Sequence, residues 1–172
     1  MNTTLITVIA IFAVAVIILV YPLLAMTESN ENITQQDVRV VTAEFVNEVT
    51  TRREITHINF ERFLQRIHAT GHTFDVEMEI VRIDENPGKK VVLTTSDMIS
   101  ENLTYSEFTT QIMDELFGVG GTGRVPLTTG DTVIVTVRNT DRTVGQIIRN
   151  FFTPGTGSNY RITASHAGMV TQ

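Results

Sequence analysis

The first 27 residues of this 172-residue chain contain no Asp, Glu, Lys, Arg or His, and Leu5–Met26 reads LITVIAIFAVAVIILVYPLLAM. As a helix rising about 1.5 Å per residue, this run spans roughly 33 Å, against about 30 Å for the hydrocarbon core of a bilayer. A cleaved signal peptide fits less well. The basic n-region is missing, the apolar run is long, and Leu23 before Ala25 makes a poor small-x-small site. The segment therefore predicts a retained single-pass anchor over 1–27. The short stub is expected inside, and the C-terminal head outside the cytoplasm at the cell membrane. Leu5, Ile11, Phe12, Ile18 and Pro22 are the candidate membrane and assembly positions, with Pro22 removing one amide donor near the outer leaflet.

All 13 basic and 19 acidic side chains fall in the remaining 145 residues, enough for one domain with its own core. The net charge is -6 and Lys89 and Lys90 are the only lysines, which argues against a phosphate-neutralising surface. Nucleic acid is not expected as a partner; membrane lipid is. The absence of cysteine excludes disulfides, thiolate nucleophiles and Cys-ligated zinc.

The polar stretch 28–36 reads as a linker or a solvated helical turn, with the head at 37–172. Val38, Val41, Phe45 and Val49 then recur at spacings of three and four, the mark of an amphipathic helix. A second helix follows Thr56 as N-cap, carries Ile58, Phe60, Phe63, Leu64 and Ile67, and stops at Gly71; the two helices are expected to form a hairpin. From Phe74 to Ile80 the period is two, with Asp75, Glu77 and Glu79 on the opposite face. After the turn DENPGKK, Lys90–Thr95 is a second strand. Thr104 with Glu107 forms a capping-box pattern before Phe108, Ile112, Leu116 and Phe117. Thr132–Val137 is a buried strand, Asp141 caps a helix carrying Val144 to Phe151, and Tyr160–Val170 is a last strand. The order ααββαβαβ predicts an α+β head with a mainly antiparallel sheet and several helices.

The run GVGGTGR lacks the Lys and hydroxyl of a phosphate loop, so a flexible surface loop is expected and a nucleotide is not. Gly118, Gly120, Gly121 and Gly123 there, with Pro154 and Gly155 in TPGTGSN, are candidate head contact loops. His68 and His72 read as helix-end histidines, and the carboxylates of Asp75, Glu77 and Glu79 as a solvated sheet face. Neither GxSxG nor SxxK occurs. No catalytic residue, metal ligand or cofactor is expected. Asn32 and Asn102 begin N-x-Thr sequons beyond the apolar run.

Several segments together resemble the single-pass proteins encoded with Tad-type pilus systems in Gram-positive bacteria, relatives of the TadE-like pseudopilins. They are the short stub and apolar helix, EFVNEVTTRREITHINFERFLQRIHATGHTFDVEME, GDTVIVTVRNTDRTVGQIIRNFF and YRITASHAGMV. The resemblance implies a non-enzymatic, membrane-held structural or accessory component of a surface pilus. Its partners would be pilin-like subunits or further copies of itself. Pilin-like N-termini usually carry a glutamate a few residues into the apolar helix; here no acidic group precedes Glu28. That departure favours a pilus-associated role over a major pilin. The competing expectation is an anchored head that binds a ligand or cell-wall polymer through its loops.

Overall fold

A computed structural model of the chain describes residues 2–83, 104–141 and 162–171. One helix, α1 (Asn2–Arg52), carries the apolar run and continues without interruption into the head. Its 51 residues extend about 77 Å at the standard helical rise. Pro22 lies inside it and does not end it. The stretch 28–36 is helical as well, and Glu31 and Gln35 within it are buried.

After α1 the order is β1 (Glu54–Thr56), α2 (His57–His68), β2 (Phe74–Ile83), β3 (Thr104–Phe108), α3 (Thr109–Phe117), β4 (Arg124–Pro126), β5 (Thr132–Asn139) and β6 (Thr163–Met169). The fold is α+β, and every strand pairing among the described residues is antiparallel. A four-stranded sheet has the order β3-β2-β5-β6, and β1 with β4 forms a separate two-stranded ribbon.

The sheet register explains the core. Val76, Val137 and Ala164 form one cross-strand row, Met78, Val135 and His166 the next, and Ile80, Val133 and Gly168 a third. Alternation places these side chains on one face, and α1 lies across the β5–β6 half of it. From α1, Val38, Thr42, Phe45, Val46 and Val49 face inward and are buried. Phe45 stacks on Phe63 with ring centroids 4.4 Å apart and meets Phe60 edge-on, which fastens α2 to α1.

The helix pair is joined through β1, and Arg53 turns the chain with a positive φ of 57°. Thr56 is the N-cap of α2: its hydroxyl accepts from the Asn59 amide at 3.3 Å, and Asn59 Oδ1 accepts from the Thr56 amide at 2.9 Å. Ile58 departs from its expected inward position and is 59% exposed. Gly71, at φ 83°, closes the end of α2 by donating to the His68 carbonyl at 3.0 Å.

The pattern at Thr104 and Glu107 is not a cap. Thr104–Phe108 is strand β3, paired with Ile83–Glu79, and α3 begins only at Thr109. Glu107 is drawn to Arg82 instead, at 2.8 Å, and Gln111 takes the capping role by accepting from the Phe108 amide at 2.9 Å. A tertiary ion pair has overridden a local pattern. The run GVGGTGRVPLTTGD also holds more structure than expected, since β4 lies in it and pairs with β1. The expected strand Lys90–Thr95, the turn DENPGKK, the helix Val144–Phe151 and the TPGTGSN loop lie outside the described residues.

Candidate functional site

Four parts of the molecule are candidates: the exposed half of α1, the glycine loop, a cleft beside that loop and an ion-pair network at the sheet edge. On α1, thirteen large apolar side chains between Leu5 and Met26 are at least half exposed, including Leu5, Ile11, Phe12 and Ile18. Soluble monomers seldom expose one contiguous apolar surface of this length. Thr7 and Thr27 return their hydroxyls to the carbonyls four residues back, at 2.8 and 2.9 Å, so they present little free polarity. This is the one helix among the described residues that is long and apolar enough to cross a membrane.

In the glycine loop each candidate residue answers a backbone demand. Gly118 ends α3 by donating to the Asp114 carbonyl at 2.8 Å, and a Cβ there would lie 2.2 Å from that oxygen. A Cβ on Gly121 would lie 2.4 Å from the Glu115 carbonyl oxygen, while Gly120 and Gly123 have φ of 105° and 74°. Glu115 Oε1 accepts from the Thr122 hydroxyl at 2.7 Å and from its amide at 3.2 Å. Those two hydrogen bonds, hydroxyl first, hold the Glu115 carboxyl below its ordinary pKa. The loop is therefore tied back onto α3, with Val119 standing free at its tip. Pro154 and Gly155, the other candidate loop positions, lie outside the described residues.

The cleft, of about 430 Å³, lies between the end of α1, the start of α2 and Thr122–Arg124. Glu48 holds Arg52 at 3.1 Å and Arg62 at 3.4 Å, whereas Arg124 is in no ion pair among the described residues. His57, at the mouth, donates its amide to the Gly123 carbonyl at 3.2 Å.

At the sheet edge, Arg82 grips Glu107 through two nitrogens, at 2.8 and 2.9 Å, reaches Asp131 at 3.1 Å and donates to the Pro126 carbonyl at 3.0 Å. Burial alone would lower the guanidinium pKa, but the two carboxylates outweigh it and raise it above its ordinary value. Asp131 has no exposed side-chain surface. This is an ion-pair staple joining β2, β3 and the β4–β5 turn.

Comparison with family models, curated proteins and solved structures gives no significant match. Of the remaining candidates Asp75 is exposed, and His68, His72, Glu77 and Glu79 make contacts within the fold. His68 and His72 flank Phe74, with ring centroids at 6.4 and 6.3 Å, and His68 Nδ1 lies 3.4 Å from the His72 carbonyl. Glu77 pairs with Arg138 at 3.0 Å, and Glu79 accepts from Ser106 at 2.7 Å. Among the described residues no three His, Asp or Glu side chains converge as metal ligands would. Gln35 was not legible as a functional position. Its amide brackets Thr163, donating to that residue's carbonyl and accepting from its amide at 2.9 Å, so that α1 is hydrogen-bonded to the sheet.

Proposed function

We propose that this chain is a single-pass, membrane-anchored, non-enzymatic structural or accessory component of a Tad or type IV-like surface pilus assembly, with its head outside the cytoplasm. The observation that carries the reading is the continuity of α1. Its first half is an exposed apolar rod, and its second half is part of the head's core. A flexible tether would suit a head that must search for a ligand. A stiff helix shared by anchor and head suits an assembly, because packing the rods together fixes where the heads stand.

Photoreactive residues at Ile11 and Ile18, activated in native membranes and followed by mass spectrometry, test this. Links to pilin-like proteins or to further copies are expected. A full-length chain that remains strictly monomeric in membranes would overturn the reading.

One observation favours a second reading, an anchored binding module. The cleft brings Arg52, Arg62 and Arg124, the last in no ion pair among the described residues, to the margin of the glycine loop, as a site for an acidic polymer would. Retention of the full chain by anionic cell-wall polymer, abolished by Arg124→Glu, would support it.

A further inference from the structure

Beyond Met26, α1 leaves two large apolar side chains exposed among the described residues, Ile33 at 55% and Val40 at 54%. Their neighbours Asn32, Gln36, Asp37 and Arg39 are polar and exposed, as expected for a helix face in water. Ile33 and Val40 are seven residues apart, so they share one face two turns from each other. Counting back in sevens from Ile33 gives Met26, Leu19, Phe12 and Leu5, all 63–71% exposed. Within the apolar run such spacing is cheap, because nearly every position there is apolar. Ile33 and Val40 carry the weight: they continue the line for two heptads into the aqueous half of the helix.

We propose that this line is a seam for parallel, in-register packing against a second copy of the same chain. The inference rests on the membrane-assembly reading and names the partner for the same helix. Copies anchored through the same end of α1 present their helices in parallel. In a parallel pair with Ile33 and Val40 at the a positions of the heptad, the g residue just before Val40 faces the e residue five places later on the other helix. Arg39 then faces Glu44 of the second copy, and the charges are opposite. Arg39 is in no ion pair within its own chain among the described residues. Glu44 holds Arg66 at 2.6 Å, and its side chain remains 53% exposed. Beside Val40 a groove of about 440 Å³, bordered by Asp37, Arg66 and Thr70, leaves room for the facing side chains.

The chain has no cysteine, so one introduced cysteine is its only thiol. Full-length Phe12→Cys, Ile33→Cys and Val40→Cys, oxidised in native membranes, should each give a disulfide-linked homodimer, and Glu61→Cys on the exposed side of α2 should give little. In the Val40→Cys background, Arg39→Glu should lower the dimer yield several-fold, and Arg39→Glu with Glu44→Arg should restore it. Links at Phe12 without links at Ile33 and Val40 would overturn the seam while leaving the membrane-assembly reading intact. A monomer at all three positions would overturn the seam, while the photo-crosslinks at Ile11 and Ile18 decide the membrane-assembly reading separately. Links from Ile33 or Val40 to a different protein would overturn the second copy as occupant. Dimers indifferent to the charge reversals would overturn the in-register pairing.

Discussion

Replacing Gly168 with alanine should loosen α1 from the sheet. Gly168 has an ordinary backbone conformation, so the substitution would gain about 0.4–1 kcal/mol from the unfolded chain if the site were open. It is not open. The new Cβ would lie 2.7 Å from Cγ1 of Val46 and 3.3 Å from Cγ2 of Thr50. Carbon atoms prefer roughly 3.5–4.0 Å. Val46 is fully buried and, being β-branched in a helix, has essentially one rotamer, so it cannot swing aside. Thr50 is held by a hydroxyl bond of 2.8 Å to the Val46 carbonyl. The helix must therefore move, at the cost of about 1–3 kcal/mol typical of overpacking. The contact outweighs the backbone gain, and a net loss of about 1–2 kcal/mol is expected. Val46→Ala alone removes two buried carbons, worth about 0.8 kcal/mol each before any cavity penalty. Gly168→Ala with Val46→Ala returns one methyl to that space, so the double variant should lose less than the sum of the singles by about 0.5–2 kcal/mol. Urea titration of the full-length chain in detergent, with the folded fraction read by pulse proteolysis, gives all four corners of the cycle. A Gly168→Ala protein as stable as the parent, or strict additivity, would refute the reasoning.

Arg82→Met should cost about 3–5 kcal/mol by leaving the buried Asp131 carboxylate without its cation, and adding Asp131→Asn should recover part of the loss in the same titration. Phe45→Ala removes the ring stacked on Phe63 and should cost about 3–5 kcal/mol, with protease-sensitive sites in α2 opening before those in β2 and β5. The Glu115 carboxyl has a depressed folded-state pKa, so its hold on Thr122 is present above the ordinary glutamate range and is lost as pH falls through the folded value. The Thr122 amide resonance should therefore titrate with a midpoint below that of a free glutamate; a midpoint at or above it would contradict the hydrogen bonds. One alanine inserted after Thr27 turns the head by about 100° relative to the apolar rod, whereas seven turn it by only about 20° short of two full turns. Cross-linking through Val40→Cys should fail with the first insertion and survive the second, and equal yields would show that the two halves of α1 do not act as one.

The elements legible in the sequence were those whose own periodicity is decided by burial. The stripe Val38, Val41, Phe45 and Val49, with Val41 only partly buried, the Thr56 cap and the alternation from Phe74 to Ile80 all appear, because each faces one continuous core. Misreadings arose where a distant residue decided the outcome. Thr104 and Glu107 have capping spacing, but Arg82 lies 25 residues from Glu107 and pairs with it across the sheet. The β1–β4 ribbon joins residues about 70 apart, and its three-residue strands are too short to show a period. The glycine run looked unstructured because glycine signals permissiveness. Which carbonyl each glycine must approach is set by the end of α3.

The polar segment 28–36, expected as a linker or a solvated helical turn, is helical with two side chains buried, and its structure bears on the whole molecule. Charge and amide groups suggest a spacer, yet Glu31, Gln35, Val38, Thr42, Phe45 and Val49 are spaced four, three, four, three and four, and all are buried. The inward line of the head thus begins five residues after Met26, roughly 7–8 Å along the helix. There is no length of chain in which orientation could be lost between the apolar rod and the sheet. Gln35 reinforces this by hydrogen bonding to β6 at the first turns of the head. Any rotation of the apolar half about its axis is carried directly into the direction that Arg39, Val40 and Glu44 face. Packing of the rods and placement of the heads are therefore one mechanical variable, which is why a single exposed seam can specify both.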